Sequence, residues 1–264
     1  DNLAALRARG VSVLGPGAGF RAGGETGEGR MREPSDLRDD VASLLGPHGP
    51  LAGRHAVVTA GPTREPIDPV RFITNRSSGK QGYALARALA QLGARVSLIS
   101  GPTQLAVPPG CVRIEVETAA QMCAAALDAA ASAELFVGTA AVADYRVQDV
   151  ATDKIKKTGT TMQLALVRND DILVRVRAAR PDLFMVGFAA ETENLEAHAR
   201  DKLARKQLNL IAANRVGPGR AFDVDDNQLS VYWAGGQREL ASAPKDVLAR
   251  ELALLIAEHF VTGP

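Results

Sequence analysis

From residue 54 onwards, short runs of apolar residues alternate with longer segments in which apolar residues recur every three or four positions. The short runs predict buried strands and the longer segments predict amphipathic helices. The predicted strands begin with HAVVTAG and cover residues 55–61, 94–101, 133–138, 183–191, 208–214 and 227–233. The predicted helices cover residues 79–93, 118–132, 169–179, 193–207 and 244–260, with Thr118 as the N-cap of the second. This alternation predicts an α/β fold with a doubly wound, Rossmann-like parallel sheet.

Two regions depart from the alternation. Residues 154–167 (KIKKTGTTMQLALV) alternate like strands around Gly159, which predicts an inserted β hairpin or flap. The first 50 residues are rich in glycine, and residues 46–53 have the composition of a linker. We therefore expect one segment over residues 1–50 and one domain over residues 51–264.

Composition narrows the classes of function. The 264 residues are 46% hydrophobic and carry a formal net charge of +1, so bulk nucleic-acid binding is not expected. Two cysteines without a CxxC pair and four histidines without metal-ligand spacing fit a reducing cytoplasm and offer no metal cluster. No apolar stretch of about 18 residues is present, so no membrane span is expected.

Candidate chemistry lies after the predicted strands, because doubly wound folds bind ligands at the carboxyl ends of their strands. The loop 61–82 ends in NRSSGKQG, where Ser77 or Ser78 would cap the next helix and its free N–H groups would form an anion site. Gly79 and Gly82 would let a phosphate approach; the alternative is a capped helix with incidental glycines. Neither a P-loop nor a GxGxxG fingerprint matches this loop.

Charged and amide side chains mark the other candidate positions. Asp144, at a strand end, would accept hydrogen bonds from a ribose or base, or else cap a local turn. Lys202 and Lys206 are four residues apart and share a helix face, which suits either a phosphate or solvent. Arg71 and Asn75 would bind a carboxylate or phosphate. The sequence DKIKK places Lys154, Lys156 and Lys157 together, with the same two interpretations.

No GxSxG motif and no Ser-His-Asp order are present, so a covalent nucleophile is not predicted. Lysines, an arginine, an asparagine and a helix N-terminus would instead neutralise phosphates and position the reactants.

Together, AGPTREPIDPVRFITNRSSGKQGYALA, GTAAVADYR, DKIKK, GFAAETEN and KLARKQLNLIAAN resemble the phosphopantothenoylcysteine synthetase family, the C-terminal half of a bacterial bifunctional protein of coenzyme A biosynthesis. The resemblance covers about residues 51–260 in the family's order and spacing. It implies a ligase that activates 4′-phosphopantothenate with CTP and magnesium as an acyl-cytidylate, which cysteine then attacks. It also implies a homodimer whose flap reaches the neighbouring site.

The resemblance assigns roles residue by residue. It implies catalytic roles for Asn75 and Lys154, the asparagine acting on the acyl-cytidylate. Nucleotide binding falls to Gly138, Thr139, Ala140, Asp144, Lys154, Asp170, Asp171, Ile172, Leu173, Phe188, Lys202 and Lys206. Substrate binding falls to Arg71, Asn75, Ser77, Ser78, Gly79 and Ala141. Asp170 stands where the family often has proline, which we expect to alter the start of the helix.

Residues 22–34 (AGGETGEGRMREP) resemble the end of the flavin-dependent decarboxylase half of the same bifunctional protein. Gly23 stands where that family has its acidic cysteine, and most of that domain is missing. We therefore expect residues 1–50 to be a remnant of it, with neither decarboxylase activity nor FMN in this chain.

Two other classes of function compete with a ligase. An NAD(P)-dependent oxidoreductase would carry GxGxxG after the first strand, which this chain lacks. A non-catalytic nucleotide-binding or regulatory subunit would be expected to have lost Asn75, Asp144 or Lys154, and all three are present. The ligase is favoured.

Overall fold

The computed structural model describes residues 2–20, 26–44, 49–157, 159–191, 193–215 and 226–262. Two compact units divide the chain, Asp1–His48 and Gly49–Pro264. The smaller unit contains helix α1 (Asn2–Ala8), an antiparallel pair of strands and helix α2 (Pro34–Leu44). The paired strands are β1 (Gly17–Phe20) and β2 (Thr26–Arg30). Gly23 lies outside the described residues.

The larger unit is built on one eight-stranded sheet with two small hairpins beside it. Its strands are β3 (His55–Ala60), β4 (Arg64–Pro66), β5 (Phe72–Thr74), β6 (Arg95–Ser100), β7 (Cys111–Glu115), β8 (Leu135–Gly138), β9 (Tyr145–Val147), β10 (Leu166–Arg168), β11 (Phe184–Glu191), β12 (Leu210–Arg215), β13 (Asp226–Trp233) and β14 (Gly236–Pro244). Its helices are α3 (Lys80–Gln91), α4 (Ala119–Ala130), α5 (Ile172–Ala179), α6 (Leu195–Arg205) and α7 (Lys245–Thr262).

The sheet confirms the predicted fold class. Its strand order is β14-β13-β12-β11-β8-β3-β6-β7. The six strands β12, β11, β8, β3, β6 and β7 are parallel to one another. β13 pairs antiparallel with β12, and β14 pairs antiparallel with β13. The first strand of the sheet along the chain is β3, and β6 and β7 are added on one side of it. The chain then crosses back and places β8 on the other side of β3. That reversal is the topological switch point at which open α/β sheets form their binding crevice.

Helices cover both faces of the sheet, because buried strands present apolar side chains on both sides. α3 and α7 pack on the face that carries Ala56 and Val58. α4, α5 and α6 pack on the opposite face, against Val57 and Phe136. In the described part of the chain, no helix combines the length and the apolar content needed to cross a lipid bilayer.

The predicted hairpin over residues 154–167 is wrong. Residues 154–157 and 159–165 form no strand, and only Leu166 and Val167 belong to one. β10 pairs instead with β9, with Leu166 opposite Val147. Most side chains of the segment are exposed, so its alternation buries no apolar face that would fix a second strand.

Candidate functional site

Two adjoining cavities lie at the switch point, beyond the carboxyl ends of β3 and β8. The smaller has a volume of about 170 Å³ and the larger about 530 Å³. Their common wall consists of Ala140, Val142, Asp144, Phe188 and Lys202. The predicted residues that line the smaller cavity are Gly138, Ala140, Asp144, Asp170, Asp171, Ile172, Leu173, Phe188, Lys202 and Lys206. Those that line the larger one include Asn75, Ser77, Ser78, Gly79, Thr139 and Ala141.

Asp171 joins two elements at the smaller cavity. It is the N-cap residue of α5, where its Oδ1 accepts a hydrogen bond from the Val174 amide at 3.3 Å. Its Oδ2 lies 2.5 Å from the Lys206 Nζ. Burial raises the pKa of Asp171, but the hydrogen bond and charge of Lys206 outweigh burial, and the net shift is downward. Asp171 is therefore an ionised carboxylate. Asp170 was expected to alter the start of this helix, but α5 begins with an ordinary side-chain cap at Asp171.

The second lysine of the smaller cavity is held by the backbone. Lys202 Nζ donates to the Phe188 carbonyl oxygen at 2.7 Å. Burial lowers its pKa, and the neighbouring charge of Lys206 lowers it further. The two lysines share this cavity, as their spacing of four residues predicted, and Arg168 of β10 also lines it.

Glycines on β8 and β11 let leucine side chains pack closely against these two strands. A Cβ atom added to Gly138 would lie 2.8 Å from Leu173 Cδ2. A Cβ atom at Gly187, on the neighbouring strand β11, would lie 2.6 Å from Leu208 Cδ1. Of these residues, Gly138 and Leu173 line the smaller cavity and give part of its wall an apolar surface.

Asp144 lies in the loop between β8 and β9, directly before β9 begins. Its carbonyl oxygen accepts a hydrogen bond from the Asn169 amide at 2.8 Å, and the Asn169 side chain donates to the Ala143 oxygen at 2.8 Å. No described residue hydrogen-bonds the carboxylate of Asp144, so the turn-capping alternative finds no support. Asn169 is buried and lines the smaller cavity, but it was not among the predicted site residues. Its role in holding the loop depends on contacts with residues 143–146, which the sequence does not show.

The larger cavity contains the start of α3. The N-cap residue is Gly79, with φ of 76°, and no side chain caps the helix. The prediction that Ser77 or Ser78 caps it is wrong, because their hydroxyls accept from the amides of Gly79 (3.2 Å) and Lys80 (3.4 Å) instead. The Lys80 amide is thus bonded to Ser78, and the remaining backbone N–H groups of the first turn of α3, where Gln81 and Gly82 line the cavity, favour an anion.

Gly82 packs the helix against the sheet. A Cβ atom there would lie 2.3 Å from Thr139 Oγ1 and 2.6 Å from Ala60 Cβ. The side that lacks a Cβ atom therefore faces β3 and the end of β8, so the interpretation of Gly82 as space for a phosphate is replaced by one of close packing.

Asn75 lies on the wall of the larger cavity. Its Nδ2 donates to the Val142 carbonyl oxygen at 2.9 Å. Thr63 joins the same two loops, because its hydroxyl accepts from the Ala143 amide at 3.0 Å and its amide donates to the Ala141 oxygen at 3.3 Å. These contacts bring two of the predicted motifs, from residues 61–82 and 138–146, to one place.

Arg71 and Lys154 line neither cavity. Lys154, Lys156 and Lys157 are exposed. Arg71 forms an ion pair of 2.5 Å with Asp68, whose side chain is fully buried. Asp68 is not among the predicted site residues, because a carboxylate in a Pro-rich loop carries no sequence signal of burial.

The comparisons with known proteins agree with the motifs. Residues 51–260 match the family described as DNA/pantothenate metabolism flavoprotein C-terminal domain. The chain is 45% identical over 263 residues to the coenzyme A biosynthesis bifunctional protein CoaBC of Haemophilus influenzae, covering 98% of this chain and 65% of that protein. It is 47% identical over 265 residues to CoaBC of Vibrio cholerae, covering 98% of this chain and 66% of that protein.

A solved structure extends the comparison to three dimensions. The C-terminal domain of a CoaBC protein superimposes with a TM-score of 0.70 at 38% sequence identity. The match covers 81% of this chain and the whole of that domain. The chain therefore belongs to the DNA/pantothenate metabolism flavoprotein C-terminal domain family, which confirms the resemblance to the ligase half of CoaBC.

Proposed function

We propose that this chain joins 4′-phosphopantothenate to L-cysteine in coenzyme A biosynthesis. The substrate carboxylate attacks the α-phosphorus of CTP, forming the acyl-cytidylate as the bond to the β-phosphate breaks and pyrophosphate leaves. The cysteine amine then attacks the acyl carbon, loses a proton and displaces CMP. The observation that carries the proposal is the pair of adjoining cavities lined by the predicted motifs, in a chain that superimposes on the CoaBC C-terminal domain.

The smaller cavity suits the nucleotide. Gly138 and Leu173 offer an apolar surface for the base, and Asp144 offers a carboxylate for ribose hydroxyls. Lys202 and Lys206 supply positive charge for phosphates. CTP rather than ATP is proposed from the family resemblance.

The larger cavity suits the acyl group and cysteine. The uncapped N-terminus of α3 would bind a phosphate or carboxylate, with the Ser77 and Ser78 hydroxyls beside it. Asn75, fixed on Val142, would orient the acyl-cytidylate for attack by the amine.

Magnesium would enter with the triphosphate as part of that substrate. No group of three or more His, Cys, Asp or Glu side chains within the described residues is arranged to hold a metal ion. The single carboxylate on the wall common to both cavities, Asp144, fits an ion bound mainly by phosphate oxygens. The ion would neutralise charge on the phosphates, while the protein's lysines bind and orient them.

We propose a homodimer in which Lys154 serves a neighbouring site. The hairpins β4–β5 and β9–β10 expose the apolar side chains of Val70, Phe72, Tyr145 and Leu166, a surface that a second copy would cover. Free Cys111 and Cys123 fit a reducing cytoplasm. Residues 1–50 are proposed to be the C-terminal part of a decarboxylase domain followed by a linker, and residues 51–264 the ligase domain.

Pyrophosphate release tests the ligase. The purified chain is incubated with 4′-phosphopantothenate, magnesium and either CTP or ATP, with and without cysteine. We expect CTP-dependent release, and phosphopantothenoylcysteine only when cysteine is present. Lys154→Ala should abolish release, Asn75→Ala should accumulate the acyl-cytidylate, and the matched control Lys157→Ala should change little. No release from a folded dimer with either nucleotide would reject the enzyme in favour of a binding subunit.

A further inference from the structure

The turn between β4 and β5 holds the DKIKK segment by its backbone. The turn is closed by the amides of Ile67 and Asp68, which donate to the Arg71 carbonyl oxygen at 2.8 and 3.3 Å. Asp68 Oδ1 accepts from the amides of Val70 and Arg71, each at 2.9 Å. One oxygen of the buried carboxylate thus serves the turn itself.

The other oxygen of Asp68 reaches across 87 residues of sequence. Asp68 Oδ2 accepts from Arg71 Nε at 3.0 Å, from Arg71 Nη2 at 2.5 Å and from the Ile155 amide at 3.1 Å. Arg71 Nη2 also donates to the Ile155 carbonyl oxygen at 3.0 Å. Both polar backbone groups of Ile155 are therefore held by one ion pair, which we call the Asp68–Arg71 clamp.

A further contact joins the chain just before DKIKK to the same turn, because the Ala151 amide donates to the Ile67 oxygen at 3.1 Å. Ile155 is the central residue of DKIKK, and it is partly buried while Lys154 and Lys156 on either side are exposed. The clamp thus fixes the middle of a segment that has no regular secondary structure. Without it, the described contacts would leave the lysines on an unsupported loop.

We propose that Asp68 is a positioning residue that acts through Ile155 to place Lys154 for the first step of the reaction. The strand that leaves the clamped turn, β5, ends directly before Asn75. One turn therefore sets the positions of the two residues assigned to the two half-reactions. The catalytic part of this inference rests on the proposed ligase function, whereas the clamp itself does not.

The charge of Asp68 matches this role. Hydrogen bonding from Arg71 lowers the pKa of Asp68 far below its usual value, with burial opposing the shift. The carboxylate is thus ionised at neutral pH, and its bonds to Arg71 and Ile155 are charge-assisted. Arg71 compensates the buried charge, so the clamp leaves no unpaired ion in the turn.

The variant Asp68→Asn separates the clamp from the turn. An amide oxygen can replace Oδ1 and still accept from Val70 and Arg71. The amide nitrogen would replace Oδ2 and oppose the donors of Arg71 and Ile155. Asp149→Asn removes a carboxylate from an exposed site near the same hairpins and is the matched control.

The clamp is measured without nucleotide or substrate. We expect Asp68→Asn to speed hydrogen exchange of the Ile155 amide and tryptic cleavage of the Lys154–Ile155 bond by about tenfold or more, from the loss of charge-assisted bonds. Asp149→Asn should match the unaltered protein in both measurements. If Asp68→Asn does not fold, Arg71→Lys keeps the charge but removes the forked donor, and it should speed the same cleavage. Unchanged exchange and cleavage would overturn the clamp.

The positioning role is measured by steady-state pyrophosphate release. We expect kcat of Asp68→Asn to fall about tenfold or more, while KM for CTP changes less than about threefold, because the clamp orients Lys154 without lining the nucleotide cavity. Faster exchange with kcat unchanged, or a loss confined to KM, would overturn the positioning role. If the unaltered chain releases no pyrophosphate, the ligase proposal fails, while exchange and cleavage still decide the clamp.

Discussion

Removal of the Asp171 charge separates its contribution to the fold from its contribution to the site. Asp171→Asn keeps a side-chain oxygen that can cap α5 through the Val174 amide, but it removes the partner of Lys206. Asp171→Ala removes both interactions. The two variants therefore differ by the helix cap alone.

The expected free energies follow from burial. The Lys206 side chain is 10% exposed and that of Asp171 is 34% exposed, so the pair lies between a surface and a fully buried ion pair. We expect Asp171→Asn to lower the free energy of unfolding by about 2 kcal/mol, because it leaves Lys206 near Lys202 without a counter-ion. Asp171→Ala should cost about 1 kcal/mol more for the lost cap.

Urea unfolding, followed by circular dichroism, checks both values. With a slope of about 2 kcal/mol per M, Asp171→Asn should lower the midpoint by about 1 M and Asp171→Ala by about 1.5 M. The double variant Asp171→Asn/Lys206→Met should be more stable than the sum of its single changes implies. A loss below about 0.5 kcal/mol in Asp171→Asn would show that the pair behaves as a surface ion pair. Equal midpoints for Asn and Ala would refute the role of the cap.

Two further predictions concern the packing of α3 and the effect of acid. Gly82→Ala should lower the free energy of unfolding by about 1–3 kcal/mol, because its Cβ atom would displace Thr139 or the backbone of Ala60, and an unchanged urea midpoint would contradict this packing. The pKa of Glu134 is lowered chiefly by the hydrogen bond from the His55 amide and then by Arg54, and the pKa of Asp171 is lowered as well. Both carboxylates therefore stabilise the fold above about pH 4, and this stabilisation is lost as the pH falls through their folded pKa values. Urea midpoints should therefore decline below about pH 4 and do so less in Asp171→Asn, whereas an identical decline would exclude Asp171 as a source.

The sequence predicted the elements whose apolar pattern is long and regular. The strands at residues 55–61 and 183–191 and the helices of the large unit appear where expected, and Thr118 does cap α4, with Gln121 completing a capping box. Strands β7 (CVRIE) and β14 (GQRELASAP) were missed, because both are edge strands whose side chains are mostly exposed or half-buried. A strand at an edge buries too little apolar surface to leave a strong pattern.

The site was predictable as a set of motifs but not as a set of contacts. The loops that follow β3 and β8 bring Asn75 and Asp144 to adjoining cavities, because parallel strands end at one edge of the sheet. Lys202 and Lys206 reach the smaller cavity from α6 and its C-cap, as their spacing of four residues predicted. Asp68 could not be selected, since its role depends on Ile155, 87 residues away. The hairpin prediction failed because β10 pairs with β9, which lies before the flap segment, and not with a strand inside that segment.

The wall common to the two cavities has a consequence for the design of inhibitors. Ala140, Phe188 and the other residues of this wall line both cavities, so one ligand of sufficient length would span the two cavities and contact the protein throughout. Two weak fragments, one in each cavity, could be joined by a short linker across Ala140. The second fragment would then bind as if present at millimolar concentration, and the linked compound should gain about 100-fold or more over either fragment.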